Sequence, residues 1–190
     1  MDDGTPPPGS ARKAELLEAA YAYVLAHGIT DFSLRPLAAA VGSSPRVLLY
    51  LFGSKDDLIR ALLARSRTEE LELLADLRAR PSSGLGPVAI HLWDWLAAQH
   101  RRGLLTLWLE GYTRSLVEPA GPWAGFARST VTDWLALLAE HQTNPDTPAA
   151  ATERTQVLAV LRGALLDLLA TGETERLTTA VQHTLLDRPR

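Results

Sequence analysis

The chain has 190 residues, of which 46% are hydrophobic, and its formal net charge is −3. This composition suffices for a packed core, and the absence of cysteine excludes disulfides, thiolate zinc sites and cysteine nucleophiles. The negative net charge argues against a uniformly basic nucleic-acid coat, so an anionic partner would have to be met by a local patch. No apolar run approaches the roughly 20 residues that span a bilayer, and the acidic, proline-rich start MDDGTPPPG lacks the features of a secretory signal. We therefore expect a cytoplasmic protein without membrane contact.

The chain begins with a predicted disordered tail and two helices. Residues 1–9 predict the tail, because PPPG does not favour a helix start and little there can be buried. A first helix follows Ser10, and its apolar residues recur at helical spacing up to Gly28, which favours a left-handed cap. Ser33 is expected to cap a second helix of about two turns, which ends at Gly42.

A third and a fourth helix follow directly. Ser44 is expected to cap the third, with Pro45 at the favoured first position. Ser54 and Asp57 form a variant of the capping box, which predicts the start of the fourth. No helix breaker occurs from Lys55 to Arg80, so this helix would be roughly 39 Å long at 1.5 Å per residue. Such a helix can link two distant regions.

The remainder of the chain predicts five more helices. PSSGLGP (81–87) is a linker, and TNPDTPAA (143–150) is a polar loop. The helices are expected at Val88–His100, Leu104–Val117, Pro122–Gln142, Glu153–Thr171 and Glu173–Leu186. No segment alternates with period two for long enough to be a strand, so the predicted fold class is all-α, with about nine helices.

The third helix has two different faces. Two short helices joined by a glycine-containing turn are the sequence form of a helix-turn-helix. One face of the second of these would bury against the preceding helices, and its members are Leu48, Leu51 and Phe52. The opposite face would be free to enter a major groove, and its members are Arg46, Leu49, Tyr50 and Gly53. The alternative is an ordinary helical hairpin whose polar side chains are merely solvated.

Residues 11–63, and above all SLRPLAAAVGSSPRVLLYLFGSKDDL, resemble the amino-terminal DNA-binding domain of TetR-family transcriptional regulators. That family's pattern is a capped helix, A-x-x-x-G-V-S, and then L-Y-x-x-F-x-S-K-E/D-x-L. The match is strongest over Phe52 to Leu58. Two positions depart from the pattern, since Leu49 stands where a tyrosine is frequent and Ser43 where an apolar residue is usual.

The resemblance implies a homodimer that reads a palindromic DNA operator, together with a larger helical domain that binds a small-molecule effector. It divides the chain into a tail (1–9), a helix-turn-helix DNA-binding domain (10–54) and an effector-binding and dimerisation domain (55–190). The segment RGALLDLLATGE (162–173) resembles the dimerisation helix of the family. Repression is the common activity of such regulators.

The expected DNA-binding residues surround the third helix: Ser33, Arg35, Ser43, Ser44, Arg46, Val47, Leu49, Tyr50 and Lys55. Arg46 can donate two hydrogen bonds to a guanine edge, or contact a phosphate instead. Val47 and Leu49 can contact thymine methyl groups, and Tyr50 can bind a phosphate or stack on a sugar. Lys55 at a helix amino-terminus opposes the helix dipole, which favours an additional role with phosphate.

All five tryptophans lie beyond residue 90, and the effector pocket that the resemblance implies is therefore expected to be aromatic. The expected effector-binding residues are Trp108, Glu110, Tyr112, Trp123 and Trp134. Gly111 would provide space beside them. The alternative for each tryptophan is ordinary core packing.

Residues 153–186 are expected to form the homodimer interface as half of a four-helix bundle. Its apolar stripe comprises Val157, Leu161, Ala164, Leu165 and Leu168. The alternative is that this stripe packs within one chain.

No enzyme signature accompanies these features. The sequence lacks H-E-x-x-H, paired Glu-x-x-His segments, G-x-S-x-G and a glycine-rich phosphate loop, and its five histidines are scattered. We expect no catalytic residues, no metal site and no cofactor. The remaining alternative to a regulator is a helical protein-interaction module that does not bind an operator.

Overall fold

A computed structural model describes residues 8–29, 32–79 and 84–186. Within these ranges the chain contains nine α-helices, one short 3-10 turn and no β-strand, which confirms the all-α prediction. The helices are α1 (Pro8–His27), α2 (Leu34–Ala40), α3 (Pro45–Phe52), α4 (Lys55–Arg78), α5 (Leu85–Ala97), α6 (Arg102–Val117), α7 (Phe126–Glu140), α8 (Pro148–Thr171) and α9 (Thr174–Leu186). None of the helices in these ranges is long and apolar enough to cross a membrane.

The helix starts differ from the predicted ones where proline lies in a first turn. Helix α1 begins at Pro8, inside the predicted tail, whose residues 1–7 lie outside the described part of the chain. Helix α5 includes Pro87, and α8 begins at Pro148. Proline lacks an N–H that the first turn of a helix would leave unpaired anyway, so these segments extend helices instead of interrupting them.

The chain packs as two compact units. The first comprises the residues up to Glu69 together with Thr106–Ala127, and the second comprises Glu70–Leu105 together with the residues from Arg128 onward. The first unit therefore contains the predicted DNA-binding domain, but it also contains the beginning of α4 and most of α6. The predicted DNA-binding domain ends at residue 54 and so contains neither of these two helical segments.

In the first unit, α1, α2 and α3 pack on one another around a small apolar core. Its buried side chains include Leu16, Val24, Leu37 and Leu48. These residues recur at helical spacing within their helices, so each helix turns one apolar face inward. This core fixes the position of α3.

In the second unit, α5 packs against α8 and α9. Trp93 of α5 is fully buried, and its indole N–H donates a 2.9 Å hydrogen bond to the hydroxyl of Thr178 in α9. This tryptophan therefore packs in the core of the unit with its polar group satisfied.

The apolar stripe of α8 also belongs to the core of this unit. Val157, Leu161, Leu165 and Leu168 are all buried within the chain, while Ala164 is half-buried. Four of the five residues predicted for the homodimer interface thus have no free surface to offer a second copy. Their assignment is corrected to the core, because the stripe faces helices of its own chain.

Candidate nucleic-acid and effector sites

The turn between α2 and α3 is built from local hydrogen bonds. Gly42 has φ +63°, and nothing in the chain lies within 4 Å of a Cβ built there, so backbone conformation alone favours glycine. The amide of Ser43 donates to the carbonyl of Ala38 over 2.8 Å. The Ser44 hydroxyl then accepts a 3.2 Å hydrogen bond from the amide of Val47, which confirms the predicted cap of α3.

Helix α3 separates its apolar residues into two sets. Leu48 and Phe52 are buried, whereas Val47 is 40% exposed, Leu49 39% and Tyr50 86%. Exposed large apolar side chains on a short helix are unfavourable in water unless a partner covers them. This arrangement agrees with the two faces predicted from the sequence.

The polar residues of the predicted interface are mostly exposed. Ser33, Arg35, Ser44, Arg46 and Lys55 are all accessible, and Ser43 is half-buried. Among the described residues, Arg46 and Tyr50 have no hydrogen-bond partner within the chain. Their polar groups are therefore available to an external acceptor or donor.

Ser33 differs from the expectation. It occupies the position before α2 with an extended backbone (φ −121°), but its side chain makes no capping hydrogen bond. The prediction that its hydroxyl caps α2 is wrong. A cap requires a side-chain rotamer that the backbone position alone does not enforce.

The start of α4 is capped as predicted. The Ser54 hydroxyl accepts from the amide of Asp57 over 3.0 Å and donates to the Asp57 carboxylate over 2.6 Å. This hydrogen bond from Ser54, helped by Arg60, lowers the pKa of Asp57 below its ordinary value. The ammonium of Lys55, a residue of the predicted DNA-binding surface, lies 5.5 Å from the centroid of the Phe32 ring.

A network of polar side chains joins α1 to α4 within the first unit. Arg65 donates to the Glu18 carboxylate over 2.7 Å, and its guanidinium lies 4.7 Å from the ring centroid of Tyr21. Tyr21 donates to Glu69 over 3.1 Å. Burial, followed by the neighbouring Glu69, raises the pKa of Tyr21. The phenol therefore stays protonated as a donor, and α4 is tied to the helix that supports α3.

Helix α6 is tied to the same domain by Glu110. Its carboxylate accepts a 2.7 Å hydrogen bond from the amide of Ile29, in the segment that connects α1 to α2. Gly28 beside it has φ +77°, and a Cβ there would lie 2.8 Å from the Glu110 carboxylate. Glu110 was predicted to bind an effector, but in the structure its carboxylate holds this connection.

The predicted aromatic residues are divided between the two units. Trp108 and Tyr112 are half-buried, and their rings lie 5.1 Å apart at 34°. Trp123 in the same unit is buried. In the second unit Trp134 is buried, and its indole N–H donates to the buried carboxylate of Glu70. The aromatic effector site therefore remains a prediction.

Gly111 does not provide the space that was expected. A Cβ at this position would lie 3.0 Å from the side chain of Leu63 and 3.2 Å from that of Phe126. The absence of a side chain lets these two residues approach α6 closely. The expectation of an adjoining cavity at Gly111 is corrected accordingly.

A cavity of about 380 Å³ lies elsewhere in the second unit. Its walls include Leu96, Gln99, Arg102, Leu168 and Thr174, and none of the predicted effector residues is among its lining residues. The sequence contains no signal for this cavity, because its residues come from α5, α6, α8 and α9 and form no local motif.

Comparisons with known proteins agree with this fold. The family model described as bacterial regulatory proteins of the tetR family matches residues 16–62, which run from α1 into α4. The sequence has no significant match among curated proteins.

Several solved structures are similar over most of the chain. A TetR transcription regulator from Haloarcula marismortui has a TM-score of 0.73 at 18% identity, with 94% of this chain and 96% of that chain covered. A protein from Saccharomonospora viridis in complex with choline has a TM-score of 0.77 at 18% identity, with 93% and 96% covered. The multidrug binding protein EbrR complexed with proflavin has a TM-score of 0.62 at 25% identity, with 90% and 98% covered.

The model match falls on the helices that build the α2–turn–α3 surface, and the structural likeness extends through the helices that follow. Residues 16–62 of this chain are thus similar to the amino-terminal domain of the tetR family of bacterial regulatory proteins, and the fold is similar to that of the solved structures over most of the chain.

Proposed function

We propose that this protein is a ligand-responsive transcriptional repressor, which binds a palindromic operator as a homodimer and is released by a small apolar or aromatic effector. The observation that carries the proposal is the outward presentation of Arg46, Leu49 and Tyr50 on a helix that is fixed from behind by the buried Leu48. The proposal includes a cytoplasmic location, where the chromosome is accessible, and no enzymatic activity.

Base recognition is assigned to the exposed face of α3. Arg46 has five guanidinium donors and no partner among the described residues, so it can make a bidentate hydrogen-bonded contact with a guanine edge. Val47 and Leu49 offer apolar surface to thymine methyl groups. Tyr50, which is 86% exposed, contacts a phosphate or a sugar.

Phosphate contacts are assigned to the residues around this helix: Ser33, Arg35, Ser43, Ser44 and Lys55. Ser33 supports the assignment, because its hydroxyl makes no capping bond and is exposed. Lys55 supports it because a cation at the first turn of α4 opposes the helix dipole. Contacts of this kind fix the register of a protein on DNA without reading sequence.

Dimerisation is assigned to the outer face of α8, opposite its buried stripe. Ala159, Gly163, Leu166 and Ala170 are exposed and share this face, and half-buried Ala164 lies at its edge. Nothing within the chain lies within 4 Å of a Cβ at Gly163, so a partner helix can approach closely there. Leu166 is 49% exposed and would be covered by the second copy.

Effector binding is assigned to the predicted aromatic residues of the first unit, Trp108, Tyr112 and Trp123. The similar EbrR binds proflavin, an aromatic compound, which supports an aromatic effector here. An effector that displaces α4 or α6 would act on the DNA-binding domain, because Arg65 and Glu110 tie these helices to it. Half-sites one turn apart demand a separation of about 34–36 Å, so a shift of a few ångströms would lose register.

The test is selection of bound sequences from random DNA, followed by fluorescence anisotropy on the enriched sequence. We expect a palindrome, and an affinity that falls with salt at about 0.9 in log–log slope per neutralised phosphate. Arg46→Ala should weaken binding by at least about 30-fold, since each of two copies loses about 1 kcal/mol or more. Arg12→Ala is the matched control, because Arg12 is an exposed residue of α1 that pairs with Glu15.

An absence of enriched sequence would refute the proposal and favour the protein-interaction module. Equal loss of affinity in Arg12→Ala and Arg46→Ala would show that only overall charge matters, which would refute base recognition by α3. The effector assignment is tested on the same DNA with proflavin as the first probe. Unchanged affinity of the protein for DNA while proflavin is bound would refute the switch.

A further inference from the structure

The cavity of about 380 Å³ in the second unit has the size of small-molecule sites. Leu96, Leu105 and Leu168 form buried apolar walls, while Gln99 and Thr174 are exposed and lie at its rim. An apolar interior with a few polar groups is the usual construction of a pocket that binds an organic molecule. None of these residues is used by the DNA-binding surface or by the predicted aromatic site.

One charged group lines the cavity. The Arg102 guanidinium donates a 2.8 Å hydrogen bond to the carbonyl of Leu169, in the last turn of α8. Arginine has five N–H donors, and among the described residues Arg102 has no carboxylate partner. Its positive charge is thus not neutralised by a described residue, although it is half-buried beside the cavity.

Two acidic residues that adjoin lining residues of the cavity in sequence are paired with Arg176. Asp167 accepts a 3.0 Å hydrogen bond from Arg176, and Glu173 accepts one of 2.6 Å from the same guanidinium. No acidic residue is among the lining residues that the structure describes. Arg102 is therefore the charged side chain among the described lining residues, and it favours an anionic group beside it.

From these observations we infer that the cavity is a binding site for a small organic anion, whose carboxylate pairs with Arg102 and whose apolar part packs between Leu96, Leu105 and Leu168. A planar guanidinium fits a carboxylate through two parallel hydrogen bonds. The site stands on the cavity and on this charge, and it does not require DNA binding.

The hydrogen bond to Leu169 has a structural use of its own. A cation at the carboxyl end of a helix interacts favourably with the helix dipole. This use explains one of the five donors of Arg102, and it does not explain why Leu96, Leu105 and Leu168 leave space next to the guanidinium. A capping role alone predicts a change in stability on mutation and no ligand binding.

The position of Arg102 also suggests how such a ligand would act, an extension that depends on the proposed function. Arg102 is the first residue of α6, and Glu110 lies eight residues later on the same helix, or about 12 Å at 1.5 Å per residue. Glu110 holds the connection between α1 and α2. A ligand that draws Arg102 away from Leu169 would therefore act on the helix that holds the DNA-binding domain.

The experiment is isothermal titration calorimetry of the full chain without DNA, with benzoate and hexanoate as probes. Benzamide and benzylamine serve as the neutral and cationic counterparts of benzoate. We expect a carboxylate to bind with a dissociation constant below about 1 mM, and the counterparts to bind at least about tenfold more weakly, since they lose the charge-assisted pair.

Three variants identify the site. Arg102→Gln should weaken carboxylate binding by at least about tenfold, whereas Arg101→Gln should leave it unchanged, because Arg101 stacks on Trp95 and does not line the cavity. Ala97→Phe should abolish binding by filling the cavity without a change in charge. Circular dichroism confirms that each variant is folded, and Arg102→Lys replaces Arg102→Gln if the latter unfolds.

Three results would overturn the inference: no binding of either carboxylate, equal binding of benzoate by Arg102→Gln and the parent protein, or equal binding of benzoate and benzylamine. DNA affinity is measured separately by anisotropy. A protein that binds benzoate at Arg102 but no DNA would refute the proposed function and leave this site in place.

Discussion

Helices α3 and α8 both have apolar residues on more than one side, but they use them differently. In the eight residues of α3, exposed Val47 and Leu49 flank the buried Leu48. In the 24 residues of α8, the buried stripe includes Leu161, and the outward face contains small residues such as Gly163. Over its 24 residues α8 turns a complete apolar stripe toward its own chain and leaves one large apolar side chain, Leu166, exposed on the opposite face, whereas the eight residues of α3 leave Val47, Leu49 and Tyr50 exposed.

Apolar residues in a helix can therefore indicate two different things, according to whether they lie on the buried stripe or outside it. An apolar stripe at helical spacing identifies the face that is buried, and this face usually packs against the core of its own chain. An apolar residue off that stripe, such as Leu49, indicates a surface that awaits a partner. The following substitutions test this distinction.

The largest effect is expected at the buried stripe of α8. Leu161→Ala should lower the free energy of unfolding by about 2–5 kcal/mol, because it leaves a cavity in a fully buried position. Leu166→Ala, in the same helix but half exposed in the single chain, should change the unfolding free energy of the monomer by less than about 0.5 kcal/mol and should instead weaken dimerisation, because the proposed interface covers it. Urea denaturation followed by circular dichroism measures both. Similar losses in the two variants would contradict the distinction between the faces.

The next effect is expected at the exposed side of α3. Leu49→Ala should weaken operator binding by about 1 kcal/mol per recognition helix, or about 30-fold for a dimer, by removing apolar surface that DNA would cover. Its free energy of unfolding should stay within about 0.5 kcal/mol of the parent protein. Anisotropy and urea denaturation measure the two quantities. A destabilised Leu49→Ala with unchanged DNA affinity would assign Leu49 to the core.

A smaller effect is expected at the caps of the two helices. The Ser44 and Thr147 hydroxyls each accept a 3.2 Å hydrogen bond from an amide three residues later. Ser44→Ala and Thr147→Ala should each cost about 1 kcal/mol in unfolding free energy. Only Ser44→Ala should also weaken operator binding. Helix α3 has only about two turns, so fraying of its first turn would displace the residues that contact DNA. Loss of DNA affinity in Thr147→Ala would contradict this.

The smallest effect is expected in acid, at the junction of α3 and α4. Because the pKa of folded Asp57 is lowered, the contribution of this carboxylate to stability is complete at neutral pH. It is lost as the pH falls below about 4 and through the folded pKa. An NMR titration of the Ser54 and Asp57 amides should show this midpoint below the ordinary range. Asp57→Asn should abolish the transition, and Asp56→Asn should retain it.

Much of the fold could be predicted from the sequence, because its signals are local. Ser44 and Ser54 cap helices through amides three residues away, and the buried and exposed faces of α3 follow from helical periodicity. The family pattern adds the order of these helices. The same local reasoning failed at Ser33, where a serine in the capping position does not form the cap.

The parts that could not be predicted depend on contacts between distant residues. Glu110 binds the amide of Ile29 across 81 positions, and Arg102 binds the carbonyl of Leu169 across 67. No spacing within a helix signals such partners. Likewise, periodicity places Leu161 on the apolar face of α8 but does not reveal whether the same chain or a second copy covers it.

The contact between Gly28 and Glu110 also limits how this sequence can evolve. A side chain at residue 28 would meet the Glu110 carboxylate, and the φ of +77° would strain most residues even without that clash. A shorter side chain at residue 110 would remove the steric contact but would leave the backbone strain at residue 28. Asparagine, which tolerates that backbone, is therefore the replacement most open to descendants of this protein, and it would displace the Glu110 carboxylate from its place beside Ile29.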